Sequence, residues 1–201
     1  CQLTDLADHR LATSWPGNSP GVISVGGTLL SVDEGGAYLE EAGWEDVISI
    51  GGGGGGLNPR SPMPSWQRGR GVMNAFTTGA RQVPDVAAAA DPESGFLVYF
   101  EGRPGVIGGT SAATPFWAGA MTLVRQLAAR QGVGRLGFVA PMLYELARTP
   151  APAPAFHDVT RGGNRYYDAA PGWDYSTGLG SPRVWSLAQE TVAFLRARAG
   201  G

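Results

Sequence analysis

Gly108-Gly109-Thr110-Ser111-Ala112-Ala113-Thr114-Pro115 runs without a break into Phe116-Trp117-Ala118-Gly119-Ala120-Met121-Thr122-Leu123-Val124. The spacing predicts a helix over 110–130. Pro115 falls within about its first turn, where a missing N–H is tolerated. Phe116, Trp117, Ala120, Met121, Val124 and Leu127 cover more than one stripe, the pattern of a helix buried nearly all round. Arg125 and Arg130 come only toward its C-terminal end, where cations suit the dipole. A serine at such a helix start is exposed among unpaired N–H groups near the positive end of the dipole, and those groups can stabilise an oxyanion. Thr110 or Ser111 can equally serve as a plain helix cap. The tripeptide by itself leaves both roles open.

Working outward, Val22-Ile23-Ser24-Val25 is a short β-branched run between turn residues, and Val47-Ile48-Ser49-Ile50 is a second. Six glycines follow, Gly51 to Gly56, which suit either a flexible linker or a bent edge with close backbone contacts. Val83-Pro84-Asp85-Val86-Ala87-Ala88 reads as a strand interrupted near its start by proline, and Gly95-Phe96-Leu97-Val98-Tyr99-Phe100 as the next strand. A second helix is expected from near Phe138 or Pro141 to Arg148, ended by alternating prolines at 150, 152 and 154. A last helix is expected over 185–198, with Leu187, Val192 and Leu195 facing inward. Strands alternating with helices indicate an α/β layered fold with a mainly parallel sheet flanked by helices.

The chain has 201 residues, 43% hydrophobic and 16% charged, which indicates a compact globular fold rather than a disordered or coiled-coil one. A net charge of −2 and the lack of any basic run exclude a nucleic-acid footprint. The longest nearly apolar run, Ala112 to Val124, is too short to span a bilayer, so no membrane partner is expected. The single cysteine, Cys1, rules out a disulfide within the chain and leaves the redox compartment open.

A serine nucleophile needs a base. The two histidines, His9 and His157, lie in Asp8-His9-Arg10 and His157-Asp158, neither in a His-Gly-Thr-His segment. No Glu-x-x-x-Asp pair is present. Glu41-x-x-x-Glu45 is the nearest imitation and reads as a solvent-facing pair. Asp85 lies in a strand ending near the nucleophile, and a structural hydrogen-bonding role suits it best.

Gly109-Thr110-Ser111-x-Ala113-x-Pro115 resembles the nucleophile motif of the subtilisin fold. Collinear blocks narrow the resemblance: Trp15-Pro16-Gly17-Asn18-Ser19-Pro20 with Val25-Gly26-Gly27-Thr28, Gly52 to Gly56 with Pro64-Ser65-Trp66-Gln67, Arg81-Gln82-Val83-Pro84-Asp85-Val86, and Pro171 to Pro182. Together they resemble the sedolisin family of serine-carboxyl peptidases over residues 15 to 185. The resemblance implies that residues 1–201 are the C-terminal portion of a subtilisin-like peptidase domain, with Ser111 as nucleophile. It places the family's Glu base, its orienting Asp and its oxyanion Asp in an upstream part of the same domain. Asp5 and Asp8 stand in no such motif. It further implies acid-active cleavage of a peptide or protein substrate, by endopeptidase or tripeptidyl-peptidase action, and an extracellular, secreted location. The alternative is a catalytically incomplete, calcium-stabilised fragment acting as an interaction module.

Asp158-Val159 and Ala170-Pro171-Gly172-Trp173-Asp174 supply two carboxylates and several carbonyls, a donor set that suits a hard cation as well as ordinary capping. The resemblance implies one structural Ca²⁺, held by the Asp158 and Asp174 side chains and the Val159, Ala170 and Gly172 carbonyls. The family more often has glycine where Ala170 stands.

Overall fold

The computed structural model describes residues 11–46 and 51–199. Its strands are β1 (Val25–Val32), β2 (Tyr38–Gly43), β3 (Glu45–Asp46), β4 (Gly51–Gly52), β5 (Gly56–Pro62), β6 (Ala80–Val83), β7 (Val86–Ala89), β8 (Phe96–Phe100) and β9 (Arg103–Ile107). Helices α1 (Thr110–Arg130) and α2 (Ala140–Arg148) follow, then β10 (Phe156–His157), β11 (Ser181–Pro182) and α3 (Val184–Ala199).

The parallel pairing is β1 with β7, in register Val25↔Val86 to Thr28↔Ala89. Beyond Gly27, β1 turns its other edge to β2 in an antiparallel ladder, Thr28↔Gly43 to Val32↔Tyr38. β7 is Val-Ala-Ala-Ala and buried throughout. Its small side chains let α1 pack closely on the sheet, and Ala113, Trp117 and Val124 form the core there with Leu143, Tyr144, Trp173 and Leu187. No helix among the described residues is long and apolar enough to cross a membrane.

The strand expected over 22–25 begins only at Val25. Upstream of it, Ser24 is held by a side chain rather than a ladder: its N–H donates to Asp85 Oδ2 at 2.8 Å, and the Asp85 N–H donates back to the Ser24 carbonyl at 2.8 Å. The interruption expected at Pro84 separates β6 from β7, because proline brings no N–H to a ladder. The strand expected at 47–50 lies outside the described residues.

The glycine run is a close-contact segment and not a linker. A Cβ built on Gly55 would lie 1.7 Å from the Tyr175 carbonyl oxygen, so only hydrogen fits there. Glu41 corrects the reading of a solvent-facing Glu41/Glu45 pair. Its residue is 7% exposed, on the inward face of β2 with Gly43, because strand alternation and not helical spacing governs this segment. α1 has the predicted bounds but not the predicted burial. Leu123 is 60% and Phe116 38% exposed, and Ala118, Gly119 and Thr122 are open as well, so one side of an otherwise apolar helix has no cover among the described residues.

Candidate active site

The β8–β9 hairpin delivers the chain to the helix start through two glycines with separate tasks. At Gly108 a Cβ would sit 2.6 Å from the Ala90 carbonyl oxygen. Gly109 adopts φ 84°, a left-handed angle that favours glycine, and its N–H donates to that same oxygen at 2.5 Å. Its carbonyl then accepts from the Ala112 and Ala113 N–H groups at 2.9 and 3.3 Å, which starts the helix. Two turns on, the Trp117 indole N–H donates to the Ala87 carbonyl at 2.8 Å. These bonds tie the helix to β7 and its extension at two heights, which sets the rotation at which α1 presents Ser111.

Ser111 is exposed in the first turn, and among the described residues no group shares a hydrogen bond with its hydroxyl. The cap role left open by the tripeptide is unfilled, since α1 has no side-chain cap bond. Beside it lies a cleft of about 410 Å³ whose walls include Thr110 and Thr114 of α1, Val22, Ser24 and Val25 before and at the start of β1, and Gly54. Unpaired amides at the helix start, an open hydroxyl and a neighbouring cleft are the elements that acyl transfer requires.

No imidazole meets this hydroxyl among the described residues. His157 is stacked on Tyr38 with ring centroids 3.9 Å apart and an interplanar angle of 7°. Burial, and then the Arg183 charge, lower its pKa below the ordinary histidine value. His9, Asp5, Asp8 and Cys1 lie outside the described residues. Asp85 is fully buried and turned to structure: it accepts from Arg81 Nη1 at 2.8 Å and Nη2 at 2.5 Å, from the Tyr144 hydroxyl at 3.0 Å, and from the Ser24 N–H. Arg81, equally buried, lies over the Trp66 ring at 5.2 Å. Asp85 therefore acts on the cleft only through its wall at Ser24.

The five residues read as cation ligands come together around one turn. The Gly172 N–H lies 3.1 and 3.0 Å from the two Asp158 carboxylate oxygens, and the Ala170 N–H donates to Asp174 Oδ2 at 3.0 Å. Asp174 Oδ1 also accepts from the Ser176 and Thr177 N–H groups at 2.8 and 2.7 Å. Burial pushes the Asp174 pKa up to about 6 against those donors. Among the described residues it forms no ion pair, and the Val159, Ala170 and Gly172 carbonyls accept no hydrogen bond. No three His, Cys, Asp or Glu side chains cluster to hold a metal among the described residues, so carbonyls have to complete any cage. Open carbonyls beside a buried carboxylate that meets N–H and hydroxyl donors but no positive charge fit a hard cation with oxygen ligands.

Two features escaped the sequence reading. The Trp117 bond was hidden because an indole in an apolar helix reads as core, and only its spacing of six from Ser111 hints at a fixed orientation. The burial of Glu41 left no such signal, since Leu39, two residues before it in β2, is 61% exposed.

No family model matches the chain. Kumamolisin of Bacillus sp. (strain MN-32) is 41% identical over 184 residues, 87% of this chain and 32% of that protein. Sedolisin of Pseudomonas sp. (strain 101) is 36% identical over 186 residues, 88% of this chain and 30% of its own length. Dog tripeptidyl-peptidase 1 is 30% identical over 206 residues, covering 92% of this chain. The solved structure of Pseudomonas sedolisin, described as a serine-carboxyl proteinase complexed with two molecules of pseudo-iodotyrostatin, superposes with a TM-score of 0.76 at 34% identity. That match covers 91% of this chain and 48% of the solved one. The chain thus spans about a third of the length of these curated relatives. Sequence and α/β, subtilisin-like architecture agree over most of its length, and the chain belongs to the sedolisin family.

Proposed function

We propose that this chain carries the nucleophile of a serine-type peptidase that works with carboxylates instead of an imidazole. The observation that supports this most is the open Ser111 hydroxyl at an uncapped helix start beside a cleft. In this reading Ser111 Oγ attacks the scissile carbonyl carbon while its proton passes to a glutamate base, and the oxyanion is met by helix-start amides. The proton returns to the leaving amine, and water then cleaves the acyl-enzyme. A carboxylate base suits acidic solution, where an imidazole would be charged. The substrate is a peptide or protein, cleaved internally or as tripeptides, and the working location is outside the cell.

The base and its partners come from an upstream part of the same domain. The uncovered side of α1 supports this: Ala118, Gly119, Thr122 and Leu123 form an apolar surface continuous with the nucleophile's end of the helix. One structural Ca²⁺ is held by Asp158, Asp174 and the carbonyls of Val159, Ala170 and Gly172. It would fix the 170–174 turn by supplying the positive charge that Asp174 lacks. A second reading, a calcium-stabilised module without activity, is favoured by the lack of a base near Ser111 among the described residues. Peptidase assay at acidic pH, with and without the upstream segment and with Ser111→Ala as control, separates the two. Activity that needs the segment and disappears in the variant supports the first. Activity indifferent to Ser111→Ala overturns it.

A further inference from the structure

Glu41 stands where three parts of the fold meet. One carboxyl oxygen takes the Thr28 hydroxyl of β1, and the other takes the Ser181 hydroxyl of β11. β11 in turn pairs with β10 and lies against β7, where the Ala87 N–H donates to the Gly180 carbonyl at 2.9 Å. One side chain therefore fastens the segment after Gly178 to the β1–β2 ladder. The junction borders a small pocket of about 140 Å³ whose other walls include Leu30, Ala88, Phe96 and Phe116.

What this carboxyl lacks is a counter-charge. From β1 and β11 it meets only hydroxyls, and β7, β8 and α1 bring apolar side chains to the pocket. On β2 its neighbours are Tyr38 and the acidic Glu40, whose ion pair is with Arg161. From β10 comes His157, and beyond β11 comes Arg183, whose charge acts on Tyr38 and His157. No described cation pairs with Glu41 itself. A carboxylate in this position is cut off from water with two hydroxyl donors and no cation, whereas a neutral carboxyl can both donate and accept between the two hydroxyls.

We propose that Glu41 is a proton-dependent clamp: as the neutral acid it locks β11 to the β1–β2 ladder, and on ionisation it loosens that joint. Burial raises its pKa, outweighing the two hydroxyl donors. A raised folded-state pKa gives stability that is fully present below the unfolded value of roughly 4.3 and is lost as pH rises through the folded value. The clamp therefore favours the closed joint in acid and weakens it toward neutrality. This goes beyond the peptidase reading and holds whether or not Ser111 attacks peptides.

The test compares the chain with Glu41→Gln, which keeps shape and hydrogen bonding but cannot ionise. Melting temperatures are followed from pH 3.5 to 7.5. The clamp predicts that the variant gains on the parent between pH 4 and pH 7, by roughly 3–5 °C for each tenfold tighter hold on the proton in the folded state. Taking the difference removes the titration of His157, which is common to both chains. Amide exchange, corrected for intrinsic rates, locates the effect: protection at Ser181, Arg183 and Leu29 falls with pH in the parent and not in the variant. Parallel melting curves, or a loss of protection shared by both chains, would overturn the clamp. Should the variant fail to fold, the carboxyl ¹³C titration of Glu41 in the parent decides. A midpoint above about 4.3 supports the clamp, and one at or below it refutes the clamp.

Discussion

Asp85→Asn tests whether the acid nearest the cleft wall is a structural residue. The substitution keeps volume and shape but removes the negative charge facing a guanidinium that is also fully buried. In the native chain Arg81 offers two nitrogens to Asp85, at 2.8 and 2.5 Å, and the same carboxylate takes the Tyr144 hydroxyl and the Ser24 N–H. Removing one partner of such a pair leaves an uncompensated buried charge, at a cost of about 3–5 kcal/mol. For a chain of this size that is a Tm loss of roughly 6–20 °C. The double variant Arg81→Met/Asp85→Asn removes the charge as well and recovers part of the loss, a coupling that a double-mutant cycle measures directly. The assay is thermal unfolding at pH 7 in low and in 1 M salt, where a buried pair responds little to screening. A loss below about 2 °C, or two single effects that simply add, would refute the assignment of Asp85 to structure.

Gly55→Ala should cost about 3 kcal/mol, the upper end for overpacking, because the new methyl meets a main-chain carbonyl that cannot rotate aside. Urea unfolding measures it, and a midpoint equal to the parent's would restore the linker reading. If the turn at 170–174 holds Ca²⁺, free calcium at a hundred times its Kd adds about 2.7 kcal/mol, a rise in Tm of roughly 5–11 °C. A chelator removes that rise and Asp174→Asn abolishes it; a Tm indifferent to calcium would count against the site. Leu123→Asp, on the open side of α1, should alter the stability of this chain by less than about 0.5 kcal/mol while weakening its association with the upstream segment several-fold. Unchanged association, read by titration calorimetry, would place that segment elsewhere.

Much of this is legible in the sequence. The Gly-Thr-Ser start of α1 could be read because small residues, an early proline and an apolar helix each demand the same local geometry. The turn that brings Asp158 to Gly172 and Asp174 to Ala170 was legible as well, since glycine and proline mark the backbone bends it needs. Three features were not. Glu41 hides because a charged residue next to Glu40 looks solvated, and its burial follows from a partner, Ser181, that lies 140 residues away. The partner of Asp85, the Ser24 backbone, lies 61 residues away, and no local spacing marks it. The half-open α1 departs from expectation because periodicity reports which faces are apolar and says nothing of what covers them.

The claim on which the account rests is that Ser111 Oγ forms the bond to substrate. Trapping the acyl-enzyme tests it most directly: the chain joined to its upstream segment is mixed with an activated peptide ester at acidic pH, quenched and mapped by peptide mass spectrometry. One acyl group is expected, carried by Ser111 and absent from Ser111→Ala. An acyl group on any other residue, or the same labelling in the variant, would contradict it.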